Sequence, residues 1–446
     1  MTEIAPSKTS APPVLVLRGA ARIYAPRDLG GKTDILVLGS RIHTILSPPY
    51  SAHELATLQA LLGAEIIDCA GCIITPGFID VHVHITGGGG ELGPQSRVPP
   101  PTLSGIIRAG VTTVVGCLGT DTVSRDPAHL VAAANALRNE GIACFVWTGG
   151  YPLPAANLTG SVERDLAFVD PVVGVGEVAV SDVRGSVPVT GTDLARVGTA
   201  CRVGGMLAGK PAAKVHVHVG AGAQGMKPLW DTAEIVRANL PPQPPKEPSA
   251  AGPLDPAVPA TCLYPTHVSS RGQELFTDAV KWAMMGGFID CTADDDGTTA
   301  ARIAAANRAC LEHGLHHECF DRITVSSDAY GSFPVLDAAG RVVKYGVGKQ
   351  TTLMSTVRSL LALFGESEFP VERALALLTR NPAAAMGWEK ERGEIRPGCI
   401  ADLLVFRVPG GTNRERWIHP EALDIVIAQG RIVKRAKWVK KGMFEE

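Results

Sequence analysis

Between residues 73 and 330, apolar β-like runs alternate regularly with helical patterns, and this alternation constrains the fold more than any other feature of the chain. After the stretch from Gly71 to Glu91 come VTTVVGCLG (111–119), IACFVWTGG (142–150), VVGVGEVAV (172–180), AKVHVHVG (213–220), TCLYPTHVS (261–269), GGFIDCTAD (286–294) and RITVSSDAY (322–330). Most are separated by segments such as HLVAAANALRNEG, VERDLAFV, ELFTDAVKWAMMGG and ARIAAANRACLEHG, whose apolar residues recur at intervals of three and four. Eight β-like runs alternating with helices predict a parallel (β/α)8 TIM barrel, for which about 250 residues is typical. A doubly wound open sheet would carry a Gly-rich phosphate turn after its first strand, and GGGGE does not have that spacing.

Both chain ends read differently. Residues 14–46 give VLVLRGAARIYA and TDILVLGSRIHTIL around a turn at Asp28-Leu29-Gly30-Gly31, and AEIIDCAGCIITPG follows. Near the other end, GEIRPGCIADLLVFRV and LDIVIAQGRIVKRAKWVKKGMF are again short alternating strands with glycine turns. The economical prediction is one small β-sandwich domain from 14–72 plus 391–446, with a 73–390 barrel inserted. Residues 1–13, which lack an apolar core and arginines, read as a disordered tail and not as a signal peptide. The Pro- and Ala-rich segment 239–261 reads as a loop or partly disordered insertion between the fifth and sixth strands.

Composition narrows the partners. A net charge of -2 with acids and bases intermixed offers no footprint for nucleic acid, which points to a small-molecule partner. No apolar run approaches the ~20 residues of a membrane helix. Ten cysteines in apolar contexts, Cys117, Cys144 and Cys291 among them, fit buried thiols in a reducing cytosol. Cys69-x-x-Cys72 is a single pair and a weak zinc or redox signal.

In such a barrel the chemistry sits at the carboxyl ends of the strands. Those ends carry His82 and His84 on the first run, Glu177 on the fourth, His218 on the fifth, His267 on the sixth and Asp328 on the eighth. His82 and His84 alternate with valines and share one strand face. Each residue alone would suit a hydrogen-bonded polar group in the core. Six metal-ligand types on one predicted rim are not explained that way. His216 could share the face of His218, as a supporting or a bland residue. His43 and His53 precede the barrel, and His313, His316 and His317 end a helix.

The motifs T-P-G-F-I-D-x-H-x-H, a fifth-strand His, a sixth-strand P-T-H, an eighth-strand S-S-D and a late G-x-I-x-P-G-x-x-A-D-L-L-V resemble the amidohydrolase superfamily of metal-dependent hydrolases. HVHITGGGGELGP, GVTTVVGCLGTD, TGGYPLP, TGSVERD, SDVRGS, RVGGMLAGKP, YPTHVSSR and SSDAYGS resemble its isoaspartyl dipeptidase branch, in order, over residues 71–332.

The resemblance implies two divalent metal ions, usually zinc. His82, His84 and Asp328 would hold one, His218 and His267 the other, and a carboxylate and a hydroxide would bridge them. The family's bridge is a lysine carbamate on the fourth strand. Here that position is Glu177 and the strand has no lysine, so Glu177 is expected to bridge, with a single-metal or weakened site as the alternative. Asp328 would move the proton from water to the leaving amine, and Tyr151 would stabilise the oxyanion. Glu91, carried by Gly87–Gly90, would pair with a substrate ammonium. Arg184, Arg271 and Ser332 would hold carboxylates, and Thr120 would touch substrate. Arg271 lies one residue later than the family pattern has it. The implied reaction is hydrolysis of a small isoaspartyl (β-aspartyl) dipeptide by a cytoplasmic enzyme expected to be a homo-oligomer. The alternatives are a hydantoinase- or dihydroorotase-like cyclic amidase and a non-catalytic scaffold.

Overall fold

The computed structural model describes residues 13–25, 28–182, 188–241, 255–312, 319–336, 342–364, 369–408 and 417–445. Eight strands correspond to the eight β-like runs: Phe78–Val83 (β1), Val111–Gly116 (β2), Ala143–Thr148 (β3), Val172–Val180 (β4), Lys214–Val219 (β5), Leu263–Thr266 (β6), Ile289–Thr292 (β7) and Ile323–Ser326 (β8). The first six form one parallel sheet in chain order, and β7 pairs parallel with β8. This is a mixed α/β fold in which the six-stranded sheet makes a parallel half-barrel of the TIM type. The two sheets meet at both margins. Val268 N–H donates to Asp290 O at 3.4 Å, and Val83 bridges Ala329 in parallel, with His84 N–H donating to Ala329 O at 2.9 Å.

Helices follow the strands where the period of three and four predicted them. Pro127–Glu140 shows why one forms there: the Asp126 side chain accepts from His129 N–H, proline occupies the first turn, and Gly141 at φ 102° ends it. Every residue of β1, β2 and β4 is buried, as expected of strands covered on both faces.

The chain ends build two further sheets. One contains Arg41–Leu46, Thr33–Leu38, Val14–Ala20 and Glu65–Asp68. The other joins Arg22–Ile23 and Cys72–Pro76 to four C-terminal strands between Leu403 and Val439. One buried cluster takes Leu17, Ile35 and Val37 from the first of these sheets and Ile74, Leu403 and Ile427 from the second. Gly77 turns the chain from Cys72–Pro76 into β1, where an added Cβ would collide with the Thr112 side chain.

Two expectations change. Cys310 and Cys319 form a disulfide, so not all ten cysteines are thiols: the helix Thr298–Glu312 brings Cys310 against the start of the turn before β8. Parts of the Pro-rich segment are helical, since one helix runs to Asn239 and Ala257–Ala260 forms another. Residues 242–254 of that segment, the tail 1–12, Arg184 and the histidines at 313, 316 and 317 lie outside the described residues. Among the described residues no helix is long and apolar enough to cross a membrane.

Candidate metal centre

Glu177 is placed by an irregularity in β4. Gly176 pairs with His216 and Val178 with Val217, so Glu177 is the extra residue of a bulge between them. Bulges re-aim side chains. This one turns the carboxylate, 1% exposed, among three imidazoles. Oε1 lies 2.7 Å from His218 Nδ1 and 2.9 Å from His267 Nε2, whereas Oε2 lies 3.4 Å from His82 Nε2. One carboxylate thus divides its two oxygens between the β5–β6 histidines and the β1 histidines.

The histidines are oriented through their other nitrogens. His82 Nδ1 is 3.1 Å from His216 Nε2, and the His216 ring stacks on Trp147 at 4.9 Å and 8°. His216 therefore supports His82 and not the β5 site, which resolves its role. Burial, followed by the repulsion of His82, keeps His216 well below the usual imidazole pKa and hence neutral. His267 Nδ1 bonds Thr292 Oγ1 at 2.8 Å. Burial and then His218 lower its pKa to about 3. His218 Nε2 lies 3.0 Å from Asp182 Oδ2, a partner missing from the sequence reading. A carboxylate behind a ligating histidine fixes its tautomer and ring orientation.

Asp328 closes the ring. Oδ1 lies 3.1 Å from His84 Nε2 and 3.5 Å from His82 Nε2. Burial opposes ionisation of Asp328 and Glu177, but the adjacent histidines, His82 first in each case, hold both carboxyls below the usual range. Burial likewise opposes protonation of His82 and His84, yet Cys117 and the carboxylates beside them raise His82 well above its usual value and His84 to about 10. Asp328 and His267 have φ of 49° and 64°. Such backbone costs about 1–3 kcal/mol per residue and persists where the surroundings impose it. Gly331 permits the crowding: a Cβ there would meet the Asp328 carboxylate and stand 2.7 Å from His84 Cδ2.

Do these residues fit a metal? His82 Nε2 and Glu177 Oε2 are buried with no hydrogen-bond partner, an expensive arrangement unless an ion lies between them. Their 3.4 Å separation suits it, since two donors each about 2.1 Å from a tetrahedral zinc lie about 3.4 Å apart. The ligand atoms of Glu177, His218 and His267 lie within 4.8 Å of one another, as do those of His82, His84, Cys117 and Glu177. The donor set fits divalent metal.

The remaining expected site residues, Arg184 outside the described residues excepted, reach the same place. One cavity is lined by His84, Glu177, His218, His267 and Asp328 and also by Glu91, Thr120, Tyr151, Arg271 and Ser332. The extra serine before Arg271 does not remove it from the site; its Nε donates to Val219 O at 3.0 Å. Tyr151 OH lies 3.0 Å from His218 Nδ1. Ser332 Oγ donates to Glu91 Oε1 at 2.5 Å, so its partner in this structure is Glu91.

Beside Asp182, two further residues missed in the sequence hold this ring. Arg125 fixes the glycine loop, with Nε on Thr86 O at 3.2 Å, Nη2 on Gly88 O at 2.9 Å and Nη1 on Asp121 at 2.8 Å. Its position in the loop between β2 and the helix Pro127–Glu140 carried no signal. Asp80, fully buried, accepts from Ser327 N–H at 3.0 Å and Ser327 Oγ at 2.5 Å, next to Asp328. Strand alternation could have found it, because Asp80, His82 and His84 share one face.

Comparison with known proteins agrees with this geometry. Residues 337–434 match the model of the Amidohydrolase family. The crystal structure of β-aspartyl dipeptidase from Fervidobacterium islandicum in complex with β-Asp-Leu dipeptide is similar with a TM-score of 0.77 at 34% identity, covering 97% of this chain and all (100%) of that one. Among curated proteins, dihydroorotase of Anoxybacillus flavithermus is 35% identical over 107 residues, 24% of this chain and 22% of that protein. Imidazolonepropionase of Mesorhizobium japonicum is 25% identical over 360 residues, 79% of this chain and 82% of that protein. The match to the dihydroorotase therefore spans under a quarter of its length, whereas the likeness to the dipeptidase runs through both chains. On that full-length likeness the chain belongs to the amidohydrolase superfamily of hydrolases and resembles isoaspartyl dipeptidase.

Proposed function

We propose that this protein hydrolyses β-aspartyl dipeptides at a centre of two divalent metal ions, zinc by the nature of the donors. The observation that carries the reading is one cavity lined both by the metal-ligand groups and by Glu91 and Arg271. A carboxylate and a guanidinium there match the ammonium and carboxylate of a zwitterionic dipeptide. The full-length likeness to a β-aspartyl dipeptidase supports it.

His82, His84 and Asp328 would hold one metal, His218 and His267 the other, and Glu177 would bridge them through its two oxygens. Such metals polarise the scissile carbonyl and make hydroxide available near neutral pH. The chain's own groups do the rest. Tyr151 donates to the carbonyl oxygen as it gains charge. Asp328 takes the proton of the attacking water and returns it to the leaving nitrogen as the C–N bond breaks. Glu91, held by Ser332 and by the loop that Arg125 clamps, receives the substrate's ammonium. Arg271 receives a carboxylate, with Thr120 beside it, and Arg184 is assigned the same task by resemblance. A second cavity of about 750 Å³ adjoins the first through Thr120 and Tyr151; with Pro152, Leu153, Val189 and Val197 in its lining, it suits an apolar side chain on the leaving residue. The same reading takes all eight strands as one (β/α)8 barrel spanning 73–390 and the two end-built sheets as a β-sandwich.

Turnover of β-Asp-Leu against α-Asp-Leu by the metal-loaded protein tests this. Preference for the β-linked peptide is expected. Equal rates would refute it, hydrolysis of a hydantoin with none of the β-peptide would assign a cyclic amidase, and metal binding without turnover of either would favour a scaffold.

A further inference from the structure

Cys117 lies just past the end of β2, fully buried, with its Sγ 3.9 and 4.0 Å from the two ring nitrogens of His84. Its ligand atom and those of His82, His84 and Glu177 all lie within 4.8 Å of one another. Two members of that group, His82 Nε2 and Glu177 Oε2, are buried atoms without a hydrogen-bond partner. None of the roles assigned above uses the sulfur.

We propose that Cys117 is a thiolate ligand of the metal held by His82 and His84, an inference that rests on reading this site as a metal centre. The thiol gives up one proton as the metal–sulfur bond forms, and no electrons are transferred. The distances permit it. A tetrahedral zinc with Zn–S about 2.3 Å and Zn–N about 2.1 Å separates sulfur from nitrogen by about 3.6 Å. Cys117 is a few tenths of an ångström beyond that from His84, within reach of a small side-chain rotation. The alternative is a small buried side chain whose S–H points at Val83 O, 3.7 Å away. That role would put no sulfur at a metal.

Two consequences follow from the chemistry. Two imidazoles, a carboxylate oxygen and a thiolate form a set that selects zinc or cobalt over magnesium, calcium or manganese. With sulfur as the fourth donor, Asp328 is not required as a ligand and keeps an oxygen for proton transfer.

The test uses the full chain carrying Cys69→Ser and Cys72→Ser, which removes the Cys69-x-x-Cys72 pair as a source of thiolates. Loaded with cobalt, this protein should show a near-ultraviolet thiolate-to-cobalt charge-transfer band. Adding Cys117→Ser should abolish the band while cobalt remains at His218 and His267. Loaded with zinc, it should show sulfur scattering at about 2.3 Å in X-ray absorption, a readout that needs no change at Cys117 and decides the matter if the serine variant fails to fold. Bound metal with nitrogen and oxygen neighbours alone, or a band that survives Cys117→Ser, overturns the sulfur ligand and leaves the metal centre standing. Failure to bind any metal overturns both.

Discussion

Replacing Asp80 by alanine perturbs how Asp328 is held without touching a proposed ligand. Asp80 is fully buried and accepts two bonds from Ser327, one from the backbone N–H at 3.0 Å and one from Oγ at 2.5 Å. Ala329 N–H in turn donates to Ser327 Oγ at 3.0 Å, so the hydroxyl is a relay between β1 and the turn that carries Asp328. Alanine leaves two buried donors without their acceptor, at about 1–3 kcal/mol each, for a total of about 2–6 kcal/mol. Against a typical stability of about 5–15 kcal/mol that loss is large. Guanidinium unfolding of the variant and wild type at equal metal occupancy reads it directly. Activity gives a second readout. Asp328 sits at φ 49° only because its surroundings impose it, so a loosened Ser327 should lower kcat more than it raises KM. Asp80→Asn keeps one acceptor oxygen and should lose less on both counts. A stability change for Asp80→Ala under about 0.5 kcal/mol, the range of an ordinary surface substitution, would refute the reasoning.

Other outcomes follow from the same geometry. Glu177→Ala should lose at least one metal per chain by elemental analysis, and wild-type activity should not respond to added bicarbonate; two retained metals, or a bicarbonate requirement, would contradict the bridge. His82 and His84 have raised pKa values in the metal-free protein and must shed protons to bind metal, so metal uptake should release protons and affinity should rise with pH. Calorimetry in buffers of different ionisation enthalpy measures this, and no proton release would be inconsistent with it. Burial raises the Asp80 pKa to about 6 against its Ser327 bonds. A carboxyl raised in this way stabilises the fold below its unfolded pKa and loses that contribution as pH rises through the folded value. Wild type should therefore gain stability relative to Asp80→Asn as pH falls from about 7 to about 4, and parallel pH profiles would count against it. Arg125→Ala frees the glycine loop and, at roughly one charged hydrogen bond or more, should raise KM for β-Asp-Leu about tenfold with little change in metal content.

Much of this was legible in the sequence because it depends on periodicity. The runs at 172–180 and 213–220 became β4 and β5 almost to the residue, since strands buried on both faces read as unbroken apolar segments. Reading polar residues at strand ends placed His82, His84, Glu177, His218, His267 and Asp328 around one point. What escaped has physical reasons. Cys117 sits at such an end too, but a cysteine in an apolar run reads as a small hydrophobe until its neighbours are known. Asp182 and Arg125 act from loops, where no period fixes direction. Ser332 was assigned to substrate, yet in the folded chain Glu91 is close enough to take its hydroxyl, a contact 241 residues apart that no local pattern encodes. The bulge at Glu177 was invisible for the same reason: it is a relation between β4 and β5, not a property of either.

An anomalous-scattering map of zinc-loaded crystals tests the central claim most directly, because it reports metal number and the Glu177 contact together. Two peaks are expected, one beside His82 and His84 and one beside His218 and His267, each within coordination distance of a different Glu177 oxygen. A single peak, or two peaks with Glu177 bound to neither, would contradict the bridged centre.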